Sequence, residues 1–177
     1  MRQIMSEKNT VAWFKLADFV SRGEKERALN LYKLLMHSIN DEALALQLAG
    51  DIFIAFNDQQ AIEKYTSAGR MYKKQKRFLQ AATVYEHVIT LQESSLDVLI
   101  DLLEIYTTLQ NQVKIIEITQ QICIAYMPID QESALAFGKK AVDCLSKTDT
   151  EQLHLFLSEV EKNDSEMYLG LSEYLER

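Results

Sequence analysis

Residues 61–88 read AIEKYTSAGRMYKKQKRFLQAATVYEHV. Apolar residues recur at three- and four-residue steps through Ala61, Tyr65, Ala68 and Tyr72, pause over the polar run Lys73–Arg77, and resume at Phe78, Ala81, Tyr85 and Val88. That is two helices joined by a turn too short to do anything but reverse the chain. The turn concentrates charge: Arg70, Lys73, Lys74, Lys76 and Arg77 put five cations into eight residues of a chain whose net charge is −7.

The pattern extends in both directions. Polar punctuation every 15 to 18 residues divides the 177 residues into ten predicted helices, over 9–22, 25–38, 41–56, 59–74, 77–91, 95–109, 112–127, 130–146, 149–161 and 164–176. The breaks have local causes. Gly23 suits a helix C-terminus, while Asn40-Asp41, Asn57-Asp58, Ser94-Ser95, Asp130 after the single proline, Thr148-Asp149 and Asn163-Asp164 suit helix starts. One Pro, five Gly and no bounded β alternation leave an all-helical chain as the expectation. Links of two or three residues make neighbouring helices antiparallel, so the expected architecture is stacked hairpins rather than a globin or a four-helix bundle.

A stack of hairpins predicts an internal period. Gly69, Leu103, Gly138 and Gly170 occupy similar surroundings at steps of 34, 35 and 32, and Tyr72 and Tyr106 follow the first two by three residues. A glycine inside a helix costs about 1 kcal/mol relative to alanine, so its recurrence predicts close helix crossings.

The residues Ala68-Gly69-x2-Tyr72 … Phe78-x2-Ala81-x3-Tyr85-x2-Val88 resemble one tetratricopeptide repeat. Trp13-x2-Leu16-Ala17-x2-Val20 … Ala28-x3-Tyr32 resembles another, one residue short in the turn. The repeat around Leu103 departs from the pattern, with Ile115 and Thr119 where alanine and an aromatic are usual, and the family's proline is absent after most repeats. The resemblance implies a right-handed α-solenoid of about ten antiparallel helices, the tenth serving as a C-terminal cap, with Trp13 largely buried beside Tyr32. Its frame is interrupted: Ala17 to Ala49 makes the third helix the start of a repeat, yet Gly69 makes the fourth a start as well. An extra helix entering at an irregular joint near 56–60 reconciles the two, within a single repeat domain over 9–177 preceded by a tail over 1–8. The hairpin at 61–88 is also similar to hairpins of the SNAP-type vesicle-fusion adaptors, which share this architecture.

No catalytic constellation emerges. His37, His87 and His154 lie on different helices without a second ligand at metal spacing, and pairs such as Glu159/Glu161 read as solvated faces. No phosphate loop, nucleophile elbow or zincin motif is present, so neither an enzyme nor a cofactor is expected. Cys123 and Cys144 read as reduced core residues. The N-terminal MRQIMSEKNT has no signal-peptide core, and no run approaches the roughly 20 apolar residues of a membrane span, so a soluble cytoplasmic protein is expected.

Charge is unevenly spread. Residues 1–40 carry seven Lys and Arg against four Asp and Glu, or +3; residues 41–92 carry six against six; residues 93–177 carry six against sixteen, or −10. Nucleic acid and anionic membranes call for a broad electropositive surface, which the acidic half opposes.

The basic cluster itself has two readings. Cations favour the negative end of a helix by about 0.3–1 kcal/mol each, which accounts for them without a ligand. Arg70, Lys73 and Lys74 also share one face of the fourth helix, the face that lines the inner wall in the family frame. As candidate partner contacts they suit an acidic segment.

Phe14 and Asp18 on the first helix, and Glu104 on the sixth with Asp97 and Ile100, hold the remaining wall positions. In the family's chaperone-tail carboxylate clamp the first-helix positions are Lys and Asn. Phe14 and Asp18 cannot pair with a carboxylate, so that clamp is not expected here. The function implied is a noncatalytic scaffold or adaptor, chaperone-like, binding a peptide or helix of a protein partner in a concave groove. The alternatives are self-assembly into a homo-oligomer through the oppositely charged ends, and a regulatory domain for a separate enzyme.

Overall fold

A computed structural model describes residues 7–37, 39–91 and 95–176, the first four of them by backbone alone. The expected tail over 1–8 falls outside these residues except for its last two, which already belong to a helix, and the Ser94 start signal also falls outside them. Among the described residues every regular element is an α-helix: α1 (Glu7–Ser21), α2 (Lys25–Met36), α3 (Glu42–Ala55), α4 (Gln60–Lys74), α5 (Phe78–Leu91), α6 (Leu96–Thr108), α7 (Gln112–Tyr126), α8 (Gln131–Thr148), α9 (Thr150–Asn163) and α10 (Ser165–Leu175). The chain is all-α, as expected, and the predicted boundaries fall within two residues of those observed. It divides into two compact units, Met1–Leu91 and Gln92–Arg177.

The helix starts owe their accuracy to short side chains that satisfy orphan amides. Asp41 accepts from the Leu44 amide, Asp58 from Gln60, Asn111 from Lys114, Asp130 from Glu132, Asp149 from Gln152, and Asp164 from both Glu166 and Met167. Ser95 precedes α6 without a capping bond from its hydroxyl.

Four helix ends close in one manner. Gly23, Asn57, Lys76 and Gln110 take positive φ of 74°, 52°, 59° and 55°. After each, the next amide reaches back five residues: Glu24 to the Phe19 carbonyl, Asp58 to Phe53, Arg77 to Tyr72 and Asn111 to Tyr106, at 2.9–3.0 Å. This is the Schellman closure, and each accepting residue is an aromatic. The left-handed residues are spaced 34 from Gly23 to Asn57, 19 from Asn57 to Lys76, and 34 from Lys76 to Gln110. Two 34-residue intervals are thus separated by a step long enough for one helix and its link, and that helix is α4.

In the first unit each helix packs on the next, with α3, α4 and α5 in most intimate contact. Two close crossings explain this. A Cβ built at Gly50 would sit 2.7 Å from the Tyr65 ring, and one at Gly69 would sit 2.5 Å from the Tyr85 ring. The missing side chains let tyrosines of the following helix lie flat on the backbone. α4 therefore presents Tyr65 to α3 and Gly69 to α5, which makes it the second helix of one hairpin and the first of another.

A separate core joins α1, α2 and the inner side of α3 through Leu16, Ala28, Tyr32, Leu35, Ala49 and Ile52. Tyr32 donates its hydroxyl to the Ala45 carbonyl, so this buried phenol is satisfied. Two ion pairs tie links to distant helix starts, Lys25 with Asp58 and Arg77 with Asp41.

In the second unit α6 to α10 pack in sequence, and α10 also touches α8. The core gathers Cys123, Ala141, Val142, Leu145, Phe156, Val160 and Leu171. A Cβ built at Gly138 would sit 3.1 Å from Leu171 and Met167 of α10, so it does mark a crossing. Gly170 does not: a Cβ built there would meet only Leu135, at an ordinary 3.7 Å. The periodic spacing that paired Gly170 with Gly69 does not carry the same packing. Thr119, buried, donates its hydroxyl to the Ile115 carbonyl at 2.6 Å. Burial alone pushes the Cys123 thiol up to about 12, which leaves it unreactive.

Candidate functional site

Two hollows open between helices of the first unit. One, of about 370 Å³, lies between α1 and α3 and is lined by Trp13, Leu16, Ala17, Val20, Ser21, Leu48, Asp51 and Ile52. On α1 these residues recur at three- and four-residue steps, so a single apolar stripe forms one wall. The opposite wall, Leu48 with Asp51 and Ile52, is a single turn of α3. α2 separates the two helices in sequence, and α1 and α3 do not close on each other.

Trp13 is consequently half-buried, packed against the Leu16–Tyr32–Ile52 core on one side and facing the hollow on the other. The expectation of a largely buried Trp13 beside Tyr32 thus holds on its core side, while its other side lines the hollow. Phe14, the next residue, is 73% exposed.

The second hollow, of about 350 Å³, lies between α3 and α5 over Tyr65 of α4. Gln47 and Asp51 of α3 face Thr83, Val84, Glu86, His87 and Thr90 of α5. Its polar groups are held by the packing beneath. Tyr65 donates to Asp51 Oδ1 at 2.6 Å, Tyr72 donates to Gln47 Oε1 at 2.9 Å, and the Tyr65 and His87 rings meet edge to face at 4.9 Å. Asp51 lines both hollows. Its charge reaches three phenols: Tyr32 is raised to about 12 by burial and then by Asp51, Tyr65 is raised further by burial and then by its hydrogen bond to Asp51, and Tyr72 is raised chiefly by burial, with Asp51 a smaller contributor.

The five cations of the 70–77 cluster separate into different roles. Arg77 is internal to the fold, paired with Asp41 and lying 4.4 Å over the Tyr72 ring. Lys76 is exposed in the left-handed position of its link. Arg70 and Lys74 are exposed and Lys73 is half-buried, on the side of α4 turned away from Ala61, Tyr65, Ala68 and Tyr72. None of these three lines either hollow.

Asp18 pairs with Arg22 one turn on, at 3.0 Å. Glu104 is exposed on α6, in the second unit, and its carbonyl accepts from Thr108. Phe14 and Asp18 thus lie on α1 but outside the lining of the apolar hollow, and Arg70, Lys73, Lys74 and Glu104 line neither hollow. Sequence reasoning passed over Asp51 and Gly50. Asp51 stood in a run, AGDIF, whose apolar flanks hid it as one more exposed position of an amphipathic helix.

Among the described residues no three His, Cys, Asp or Glu side chains are grouped to hold a metal ion, and no helix is long and apolar enough to cross a membrane.

No protein-family model matches the chain, and no curated protein matches it. Two solved structures are similar over nearly their whole length. One, described as the crystal structure of MamA protein, is 18% identical with a TM-score of 0.32, covering 83% of this chain and 97% of that one. The other, described as a MamA RS-1 ArsTM double mutant, is 18% identical with a TM-score of 0.34, covering 98% and 97%. Superpositions this loose carry no inference about site or partner.

Proposed function

We propose that this protein is a noncatalytic interaction scaffold of tetratricopeptide type, and that its first unit receives an apolar segment of a partner protein between α1 and α3. The observation that carries the reading is the hollow of about 370 Å³ walled by Trp13, Leu16, Ala17, Val20, Leu48 and Ile52. Small ligands favour sites that bury about 70–90% of their surface. An open trough between two helices suits instead the apolar face of a helix, anchored by a few side chains. Phe14, next to Trp13 in sequence, adds exposed apolar surface on α1, and a half-buried Trp13 is the residue type that dominates such interfaces. On the far side of α4, Arg70, Lys73 and Lys74 are proposed as a separate contact for an acidic segment.

Ala17→Glu tests the first reading, because Ala17 lines the hollow yet is exposed, so a carboxylate there enters the trough without opening the core. Affinity capture with the parent, Ala17→Glu and a distant surface variant, Lys33→Glu, should show a captured protein lost only with Ala17→Glu. An identical captured set for all three would remove the hollow from the function. Capture of the chain by itself, lost with Ala17→Glu, would move the reading to self-assembly.

A further inference from the structure

We infer that the segment seated between α1 and α3 carries a primary carboxamide, the side chain of Gln or Asn, which is held by Gln47 and Asp51 in the neighbouring hollow. The inference rests on the docking reading above and adds the chemistry of the occupant.

Gln47 and Asp51 both line the second hollow, and Asp51 lines the apolar one as well, so a segment filling the apolar hollow borders on this pair. They stand four residues apart on α3, hence on one face of the helix, with Cβ atoms about 5–6 Å apart. Each is oriented by a buried phenol of α4. Tyr72 donates to Gln47 Oε1 at 2.9 Å, and Tyr65 donates to Asp51 Oδ1 at 2.6 Å. With its oxygen engaged, Gln47 offers a ligand its amino group, a donor. Asp51 keeps its second oxygen, an acceptor. The pair is a donor and an acceptor set one turn apart.

That pattern discriminates among polar groups. A carboxylate would set its charge against Asp51, and an ammonium or guanidinium has no acceptor for the Gln47 amino group. A hydroxyl donates and accepts at one atom, whereas the pair stands a full turn apart. A trans backbone amide points its N–H and C=O in opposite directions. A primary carboxamide holds its oxygen and its amino group side by side and can engage both partners at once. The facing helix favours the same choice. Thr83 and Thr90 of α5 give their hydroxyl protons to the Leu79 and His87 carbonyls, at 3.0 and 2.7 Å, so each hydroxyl can only accept from a ligand. The second N–H of a carboxamide finds acceptors there. Covering Gln47 and Asp51 with a segment that left them unpaired would cost the desolvation of both, and this makes the pair selective.

The test uses the full chain and a displayed library of helical peptides with apolar residues fixed at i, i+3, i+4 and i+7 and the other positions randomised without Trp. Emission of Trp13, the one tryptophan, reports binding to the hollow. The expected result is enrichment of Gln or Asn at one position relative to the apolar run. Replacing it by an apolar residue of the same length, Met for Gln or Leu for Asn, should weaken binding to the parent about tenfold. Two protein variants should then shift the preference. Asp51→Asn keeps an oxygen for Tyr65 but turns the acceptor into a donor, so the advantage of the carboxamide over Glu should disappear or reverse. Gln47→Glu keeps an oxygen for Tyr72 but turns the donor into an acceptor, so the advantage over Lys should disappear or reverse. Unchanged thermal unfolding checks the fold of both, and the comparison on the parent needs neither.

A selection that enriches Arg, Lys, Asp or Glu there, or no residue at all, overturns the inference while leaving docking intact. Equal binding of the carboxamide and apolar peptides to the parent does the same, as does a carboxamide preference that both folded variants keep. Peptides that never move Trp13 emission, or that bind Ala17→Glu as well as the parent, overturn the docking reading and this inference with it.

Discussion

Gly69→Ala is the sharpest probe of how α4 and α5 meet. The added methyl would lie 2.5, 2.7 and 2.8 Å from Cε1, Cζ and Cδ1 of Tyr85. Carbon atoms in good contact stand about 3.5–4.0 Å apart, so roughly 1 Å must be found. Tyr85 is fully buried and its ring is rigid, which leaves separation of the two helices as the main relief. Overpacking of this kind costs about 1–3 kcal/mol, and alanine returns about 1 kcal/mol as the better helix former. A net loss of up to about 2 kcal/mol follows, a fall of up to about 8 °C in Tm at this chain length.

Because the chain forms two units, the loss should be read in the transition that Trp13 emission reports, since Trp13 lies in the first unit. Gly170→Ala is the paired control. Its methyl would meet only Leu135 at 3.7 Å, so helix propensity dominates and stability should rise by about 0.5–1 kcal/mol. If Gly69→Ala gains as much stability as Gly170→Ala, the close crossing at Gly69 is wrong.

Three further outcomes are expected. Burial raises the Asp41 carboxyl, but the Leu44 amide and the Arg77 guanidinium outweigh it and hold the group below its ordinary 3.8, so its stabilisation is present above that value and is lost as pH falls through the lower folded one. Asp41→Asn, which keeps the cap, should therefore cost about 0.5–1 kcal/mol at pH 7 and little near pH 2, measured by urea unfolding at both; an equal cost at both would deny the Arg77 pairing. Lys76→Gly should stabilise by about 0.5–1 kcal/mol, because Lys76 holds a φ of 59° that glycine adopts without strain; a lower midpoint would argue against that turn. Arg70→Glu/Lys73→Glu should leave the Tm within about 2 °C while weakening any acidic partner and flattening its salt dependence, and unaltered binding at low salt would make these cations a helix end alone.

Helix identity and limits were legible in the sequence because their causes are local. Asp41, Asp130, Asp149 and Asp164 act on amides two or three residues away, and the apolar stripe from Ala61 to Tyr72 repeats at the pitch of one helix. The close crossing at Gly69 was legible as well, since a glycine inside a helix beside Tyr72 and ahead of Tyr85 has few other uses. The extra step in the frame could be sensed, but that α4 serves two hairpins emerged only when Gly50 met Tyr65 and Gly69 met Tyr85.

What tertiary structure decided is what depends on spacing between helices. The distance from α1 to α3 is set by the volumes packed beneath them at Leu16, Tyr32 and Ile52, which leaves Trp13 facing a hollow rather than sealed in a core. Arg77 became a strut because Asp41, 36 residues earlier, arrives beside it. Asp51 acquired its place in two walls because Tyr65, 14 residues later, folds beneath it. Helical periodicity tells which side of a helix faces inward, but not which neighbours stop short of touching, and the candidate site lies in that gap.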